Sequence, residues 1–254
     1  MVITMTSSHF LSLPEPDLAE PGLAESALLE LINNRISPTM RENLEREFTR
    51  LEVKEALFQM HPAKSPGPDG MSALFYQKYW HVVGERVTKV ALDFLNHERE
   101  MPEMNHTNTV LIPKVRSPVT MKDYRPISLC NVVYKIISKV MANKMKHYLL
   151  DMIDGNQSAF VPDKQILNNA LVAFEIIHHL KNRRRDRGYQ MALKFVMSKA
   201  YDRVNWDYLE RVLGRIGFSD RWVRLMMTCV RTVTYSVVFN GKQCGRFASA
   251  RGHR

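Results

Sequence analysis

The dipeptide Asn240-Gly241, inside Tyr235–Phe247 (YSVVFNGKQCGRF), limits the folding of this chain more than any other short stretch. A two-residue type I′ turn needs positive φ at both central positions, which Asn-Gly supplies, so the flanking runs are committed to an antiparallel hairpin. Upstream the apolar residues keep a different period. Val133, Ile136, Ile137, Val140, Met141, Met145, Tyr148 and Leu149 recur at helical spacing, and Lys135, Lys139 and Lys146 fall on another face. Helices mixed with strands, and no internal repeat, make the chain α+β or α/β.

The remaining segments follow the same logic. Residues 1–27, with SLPEPDLAEPGLAE, are Pro-rich and acidic and predict a loosely ordered tail. Ser26 to Met60 predicts two helices broken at ISPTM, the second with an apolar face of Leu44, Phe48, Leu51 and Val53 to Phe58. In His61–Ser72 (HPAKSPGPDGMS), Pro66 and Pro68 forbid helix while Gly67 and Gly70 allow positive φ. One long helix is expected next, with Phe75, Tyr79, Val82, Val83, Val87, Val90, Ala91 and Phe94 on its buried face. Thr107–Lys114 reads as a short strand ending at a lysine, and DYRPISLC as a second strand or extended segment that holds Arg125 extended before a proline. A helix over 167–182, a strand over Met191–Met197, and helices capped by Asn205 and Ser219 lead to the hairpin.

Composition bounds the partners. With 36 Lys+Arg against 26 Asp+Glu, a formal charge of +10 suits a polyanion such as nucleic acid. Cys130, Cys229 and Cys244 form neither a CxxC pair nor a disulfide framework and are expected as reduced core residues of an intracellular protein. No apolar run reaches a membrane span, and no basic-then-apolar signal opens the chain. His178-His179 lacks metal-protease spacing, and neither a Walker loop nor a GxSxG elbow is present. Lys181–Gly188 (KNRRRDRG) is equally a solvated helix end or a set of phosphate contacts.

Five segments are more specific in combination: KSPGPDG, NTVLIPK, DYRPISLCNVVYKIISKVMANKMK, GNQSAFVPDKQI and MSKAYDRVNWDYL, in that order. Together they resemble the reverse transcriptase of plant LINE-type (non-LTR) retrotransposons, from about Leu28 to the end. The resemblance implies an α+β, right-hand polymerase fold reduced to fingers and a partial palm, without the thumb. Residues 28–106 would form a helical N-terminal extension leading into the fingers, and 107–254 the fingers and a truncated palm. In such enzymes a lysine and an arginine of the paired fingers strands contact the incoming triphosphate, which implies Lys114 and Arg125 here.

The departures from the family pattern are as informative. The family's first metal-binding aspartate falls on Val196, and Asp202 matches a later aspartate that is not a metal ligand and is expected to be structural. Nucleotide polymerisation uses clustered carboxylates to clamp two Mg²⁺ ions, and valine offers no oxygen. The chain has no adjacent Asp-Asp pair. Asp163, Lys164, Leu167 and Asn168 replace the family's Gly, Arg, Thr and Asp, leaving Lys164 as a non-bidentate stand-in. The expectation is a catalytically inactive remnant with no catalytic residue, no bound metal and no small-molecule cofactor. It would bind RNA or single-stranded DNA nonspecifically through Lys135, Lys139, Lys164, Arg183, Arg184 and Arg185. The alternative is a working RNA-directed DNA polymerase once completed by downstream sequence or a partner chain. Nuclear location would follow from the family alone.

Overall fold

Side-chain caps decide where five helices of this computed structural model begin. It describes residues 4–6, 21–99, 103–155, 157, 161, 165–182, 190–192 and 204–249. Strand β1 (Thr4–Thr6) and helix α1 (Pro21–Glu30) both fall within or overlap the stretch expected as a tail. Ser37 caps α2 (Pro38–Glu45) by accepting from the Met40 amide. The single helix expected to contain Leu44 and Phe58 is instead two, because Thr49 opens α3 (Arg50–Phe58) with a reciprocal cap to Glu52. The interruption is stable because Asn96 serves the stranded backbone of Phe48. Its amide donates to the Phe48 carbonyl and accepts from the Phe48 N–H, both at 2.9 Å. Leu51 and Phe58, expected on the apolar face, are exposed.

The next helix is also divided, into α4 (Ala73–Lys78) and α5 (Trp80–His97), with Tyr79 at φ −102°, ψ 23° between them. The break shifts the helical phase, so Tyr79 and Val82 face solvent while Val87, Ala91 and Phe94 remain in the core. Gly70 has φ +71° as expected, whereas Gly67 is required for a different reason. A β-carbon there would lie 2.4 Å from the Asn131 amide nitrogen, so the turn rests directly on the chain that opens the next helix. That helix, α6 (Val132–Lys146), buries Ile136, Ile137, Val140 and Met141. It is followed by α7 (Leu149–Met152) and α8 (Ile166–Asn182), the latter exposing Leu167, Leu171, Val172, Phe174 and Ile177. Strand β4 (Gln190–Ala192) pairs antiparallel with β1.

Helix α9 (Trp206–Ile216) is capped by Asn205, which accepts from two amides, and ends at Gly217 with φ 108°. Helix α10 (Asp220–Arg231) is capped by Ser219 and carries fully buried Trp222. The Trp222 indole donates to the Leu44 carbonyl at 2.9 Å, and its ring meets Phe48 and Phe218 at 5.9 and 6.0 Å between centroids. One apolar cluster therefore joins α2 and α3 to α5, α6, α9 and α10. Cys229 belongs to this core, Cys130 is half-buried, and Cys244 is exposed, contrary to the expectation of three core thiols.

The main sheet is mixed, in the order β3-β2-β5-β6. Strands β2 (His106–Pro113) and β3 (Tyr124–Cys130) are antiparallel, β5 (Thr234–Phe239) is parallel to β2, and β6 (Lys242–Ala248) is antiparallel to β5. The predicted hairpin is thus present, with Asn240 at φ 48° and Gly241 at φ 76°. Asn105 places β5 beside β2 by donating to the Cys229 carbonyl (3.0 Å) and the Thr232 hydroxyl (2.8 Å) at the end of α10. His106 continues the seam, contacting the hydroxyls of Thr234 and Ser236 at 2.9 and 3.2 Å.

Tyr76 yields a test of this packing. Its phenol is buried and donates to the Met71 sulfur at 3.4 Å. Burial, then the charge and hydrogen bond of Asp69, push its pKa up from 10.0 to about 12. A raised folded-state pKa makes this contribution complete below pH ~10 and loses it as pH climbs towards ~12. Tyr76→Phe is expected to remove a tyrosinate step near pH 12 in an absorbance titration and to flatten the fall in stability over that window. An unchanged titration curve would contradict this placement.

Candidate nucleotide and nucleic-acid interface

The candidate interface follows from strand register. Ile112 pairs with Arg125 across β2 and β3, and Val110 pairs with Ile127. Side chains alternate along a strand, so Lys114, two residues beyond Ile112, shares a face with Arg125 as its diagonal neighbour. Both cations are exposed, and exposed Ile112 and Ile127 lie on the same face. The opposite end of the sheet is tied to the end of α10 through Asn105, and Thr107 and Ser236 there are buried. Exposed Arg125 on β3 and exposed Lys114, the residue after β2, therefore both stand at the free end of the β2–β3 hairpin.

The connecting loop is tightly organised. Asp123 closes the 3₁₀ turn Met121–Asp123, and its carboxylate accepts from the Val119 amide (3.0 Å), the Thr120 amide (2.8 Å) and the Thr120 hydroxyl (3.1 Å). These bonds, the Thr120 amide first, and the nearby charge of Lys114 hold this carboxyl below the usual aspartate range. Lys114 is received by the same turn at both ends. Its amide donates to the Asp123 carbonyl and its ammonium to the Lys122 carbonyl, each at 2.7 Å. Exposed Arg116 and Lys122 add two more cations to the loop. Thr120-x-x-Asp123 carries a capping signature that sequence inspection passed over.

Lys135 and Lys139 stand elsewhere. They lie on α6, which starts at the core end of β3, roughly 17 Å of strand away from Arg125 at about 3.3 Å per residue. The Lys135 ammonium donates to the Ser65 carbonyl at 3.1 Å and Asn131 accepts from the Asp69 amide at 3.3 Å, so both fasten the Gly67 turn to α6. Lys139 is half-buried. His178 and His179 are exposed on α8. Val196, Asp202, Lys164, Arg183, Arg184 and Arg185 lie outside the described residues. Among the described residues no helix is long and apolar enough to cross a membrane.

A mixed sheet with a cationic hairpin agrees with what the sequence resembles elsewhere. Residues 112–254, more than half of the chain and including Lys114 and Arg125, match the family model described as reverse transcriptase (RNA-dependent DNA polymerase). The chain belongs to that family. The chain is an RNA-directed DNA polymerase-like sequence, and its relatives include proteins of transposable elements. It is 29% identical over 251 residues to the transposon TX1 uncharacterized 149 kDa protein of Xenopus laevis, covering 97% of this chain and 18% of that protein. It is 24% identical over 211 residues to a retrovirus-related Pol polyprotein from the type-1 retrotransposable element R2 of Bradysia coprophila, covering 82% of this chain and 23% of that protein. An R2 polyprotein of Nasonia vitripennis is also 24% identical, covering 78% of this chain and 19% of that protein. The chain thus spans less than a quarter of the length of these relatives.

Proposed function

We propose that this chain is a catalytically silent reverse transcriptase segment that retains phosphate recognition. Residues 107–254 carry the fingers and part of the palm, residues 28–106 a helical extension leading into the fingers, and residues 1–27 a tail. The observation that supports the binding half is the Ile112–Arg125 register, with the Lys114 amide bonded to the Asp123 carbonyl just beyond it, which leaves both cations exposed at the free end of the β2–β3 hairpin. They would take the triphosphate of a nucleotide, while Lys135, Lys139, Lys164, Arg183, Arg184 and Arg185 would contact RNA or single-stranded DNA without sequence preference. Family membership supports a nucleic-acid substrate.

The silent half rests on Val196. A divalent cation in this family supplies charge neutralisation and an activated hydroxyl, and its clamp needs carboxylates. Valine contributes no donor, so the set does not fit, and Asp202 is assigned a structural role. The greater length of the relatives favours one further reading, in which additional sequence or a partner chain completes a working polymerase.

The two halves separate in one set of measurements on a monomeric fraction. Primer extension on RNA or DNA template with Mg²⁺ or Mn²⁺ is expected to give no product; incorporation would overturn the silent reading. RNA binding is expected to weaken with salt with a log–log slope of about −3 to −5. Replacing Arg183, Arg184 and Arg185 with alanine should flatten that slope without altering base preference. Absence of binding at low salt, or binding without salt dependence, would overturn the binding reading.

A further inference from the structure

We propose that Asp123 is a positioning residue for phosphate recognition, setting the place of the Lys114 ammonium through the turn that its carboxylate caps. The inference rests on the assignment of Lys114 as a phosphate contact. Lysine carries a long, freely rotating stem, and fixing it costs side-chain entropy when a ligand binds. Here that ordering is already present. The Lys114 ammonium donates to the Lys122 carbonyl and the Lys114 amide to the Asp123 carbonyl, so two adjacent residues of one turn hold the side chain and the backbone. The conformation of that turn depends on the Asp123 carboxylate, which gathers the amides of Val119 and Thr120 and the Thr120 hydroxyl onto one oxygen.

This arrangement leaves the lysine usable. An ammonium has three donors, and one is engaged by the Lys122 carbonyl, so two remain for phosphate oxygens. A charge-assisted bond to phosphate is stronger than a bond to a neutral carbonyl, so a polyphosphate can also draw the ammonium away at small cost. The carboxylate has a second, opposing effect. It stands across from Lys114 on the hairpin and two residues from Arg125, so it places a negative charge beside the anion site. Geometry and charge can therefore be separated by substitution. Asn keeps an oxygen for the Val119 and Thr120 amides and removes the charge, whereas Ala removes both.

The probe is inorganic tripolyphosphate, with binding to the monomeric full chain followed by calorimetry and folding by circular dichroism. Lys114→Met is expected to weaken binding about tenfold, as for loss of one charge-assisted contact. Asp123→Ala should weaken it roughly three- to fivefold, from lost preorganisation. Asp123→Asn should bind as tightly as the parent or more tightly. The decisive readout is the double mutant: Asp123→Ala in the Lys114→Met background should not weaken binding further, which a merely structural role would not produce. If Lys114→Met weakens binding while Asp123→Ala does not, or Asp123→Ala weakens binding equally in both backgrounds, the positioning role is wrong. If Asp123→Asn keeps its fold but weakens binding like Ala, it is also wrong. If Lys114→Met itself has no effect, the phosphate reading fails and this inference falls with it.

Discussion

Trp222→Ala is expected to remove about 4 kcal/mol of stability, a large share of the roughly 5–15 kcal/mol margin of an ordinary domain. The side chain is fully buried between Phe48 and Phe218, and its indole satisfies the Leu44 carbonyl at the end of α2. Truncation would leave both a cavity and an unpaired buried acceptor. The effect should propagate to the N-terminal helices, since Arg221 is fixed beside Trp222 to the Leu95 carbonyl (2.8 Å) and to Glu45 (3.4 Å). Urea unfolding followed by circular dichroism would measure the loss, with Trp222→Phe expected to cost less than half as much. A midpoint unchanged in the alanine variant would mean that α2 and α10 do not share a core.

Gly67→Ala is expected to cost about 2–3 kcal/mol through overpacking. Its new methyl would lie 2.4 Å from the Asn131 nitrogen and 2.6 Å from its Cα, and backbone atoms cannot rotate aside. The whole turn must shift, weakening the Lys135–Ser65 and Asp69–Asn131 bonds that hold it to α6. Gly70→Ala is the instructive contrast. That position has φ +71° but open space around a β-carbon, so only the left-handed backbone penalty of about 1 kcal/mol applies. Hydrogen exchange at the amides of Asp69 and Gly70 should accelerate strongly in the first variant and modestly in the second. Equal protection in the two would contradict the close approach.

Local chemistry explains what could be seen in the sequence. Ser219, Asn205 and Asn240-Gly241 act on residues within a few positions of themselves, and each does what its neighbourhood predicts. The first helix break has a local signature in Thr49-x-x-Glu52, but the residue that holds the interrupted backbone, Asn96, lies 48 positions from Phe48 and gives no local sign. The parallel pairing of β2 with β5 depends on Asn105 reaching the end of α10, a contact with no local signature. At the candidate site, Lys114 and Arg125 were identifiable as residues, but their common face depends on the Ile112–Arg125 register. Lys135 also has a bond that its sequence neighbourhood does not reveal, because its ammonium serves the Ser65 carbonyl 70 positions away. The positions of Val196 and Asp202 lie outside the described residues, and their roles rest on sequence alone.

The β2–β5 seam also governs the order in which the protein can be built. His106 and Thr234 touch across 128 positions of chain. At synthesis rates of about 5–20 residues per second, His106 waits roughly 6–25 s before its partner strand is made. During that interval β2 can pair with β3 on one side, while its other edge keeps unpaired amides and carbonyls. Closing a loop of this length is entropically costly, which makes the central seam of the sheet a late event in folding. The nascent chain therefore carries an open β-edge for seconds, and factors that bind such edges during translation would act on this protein before its helical core is complete.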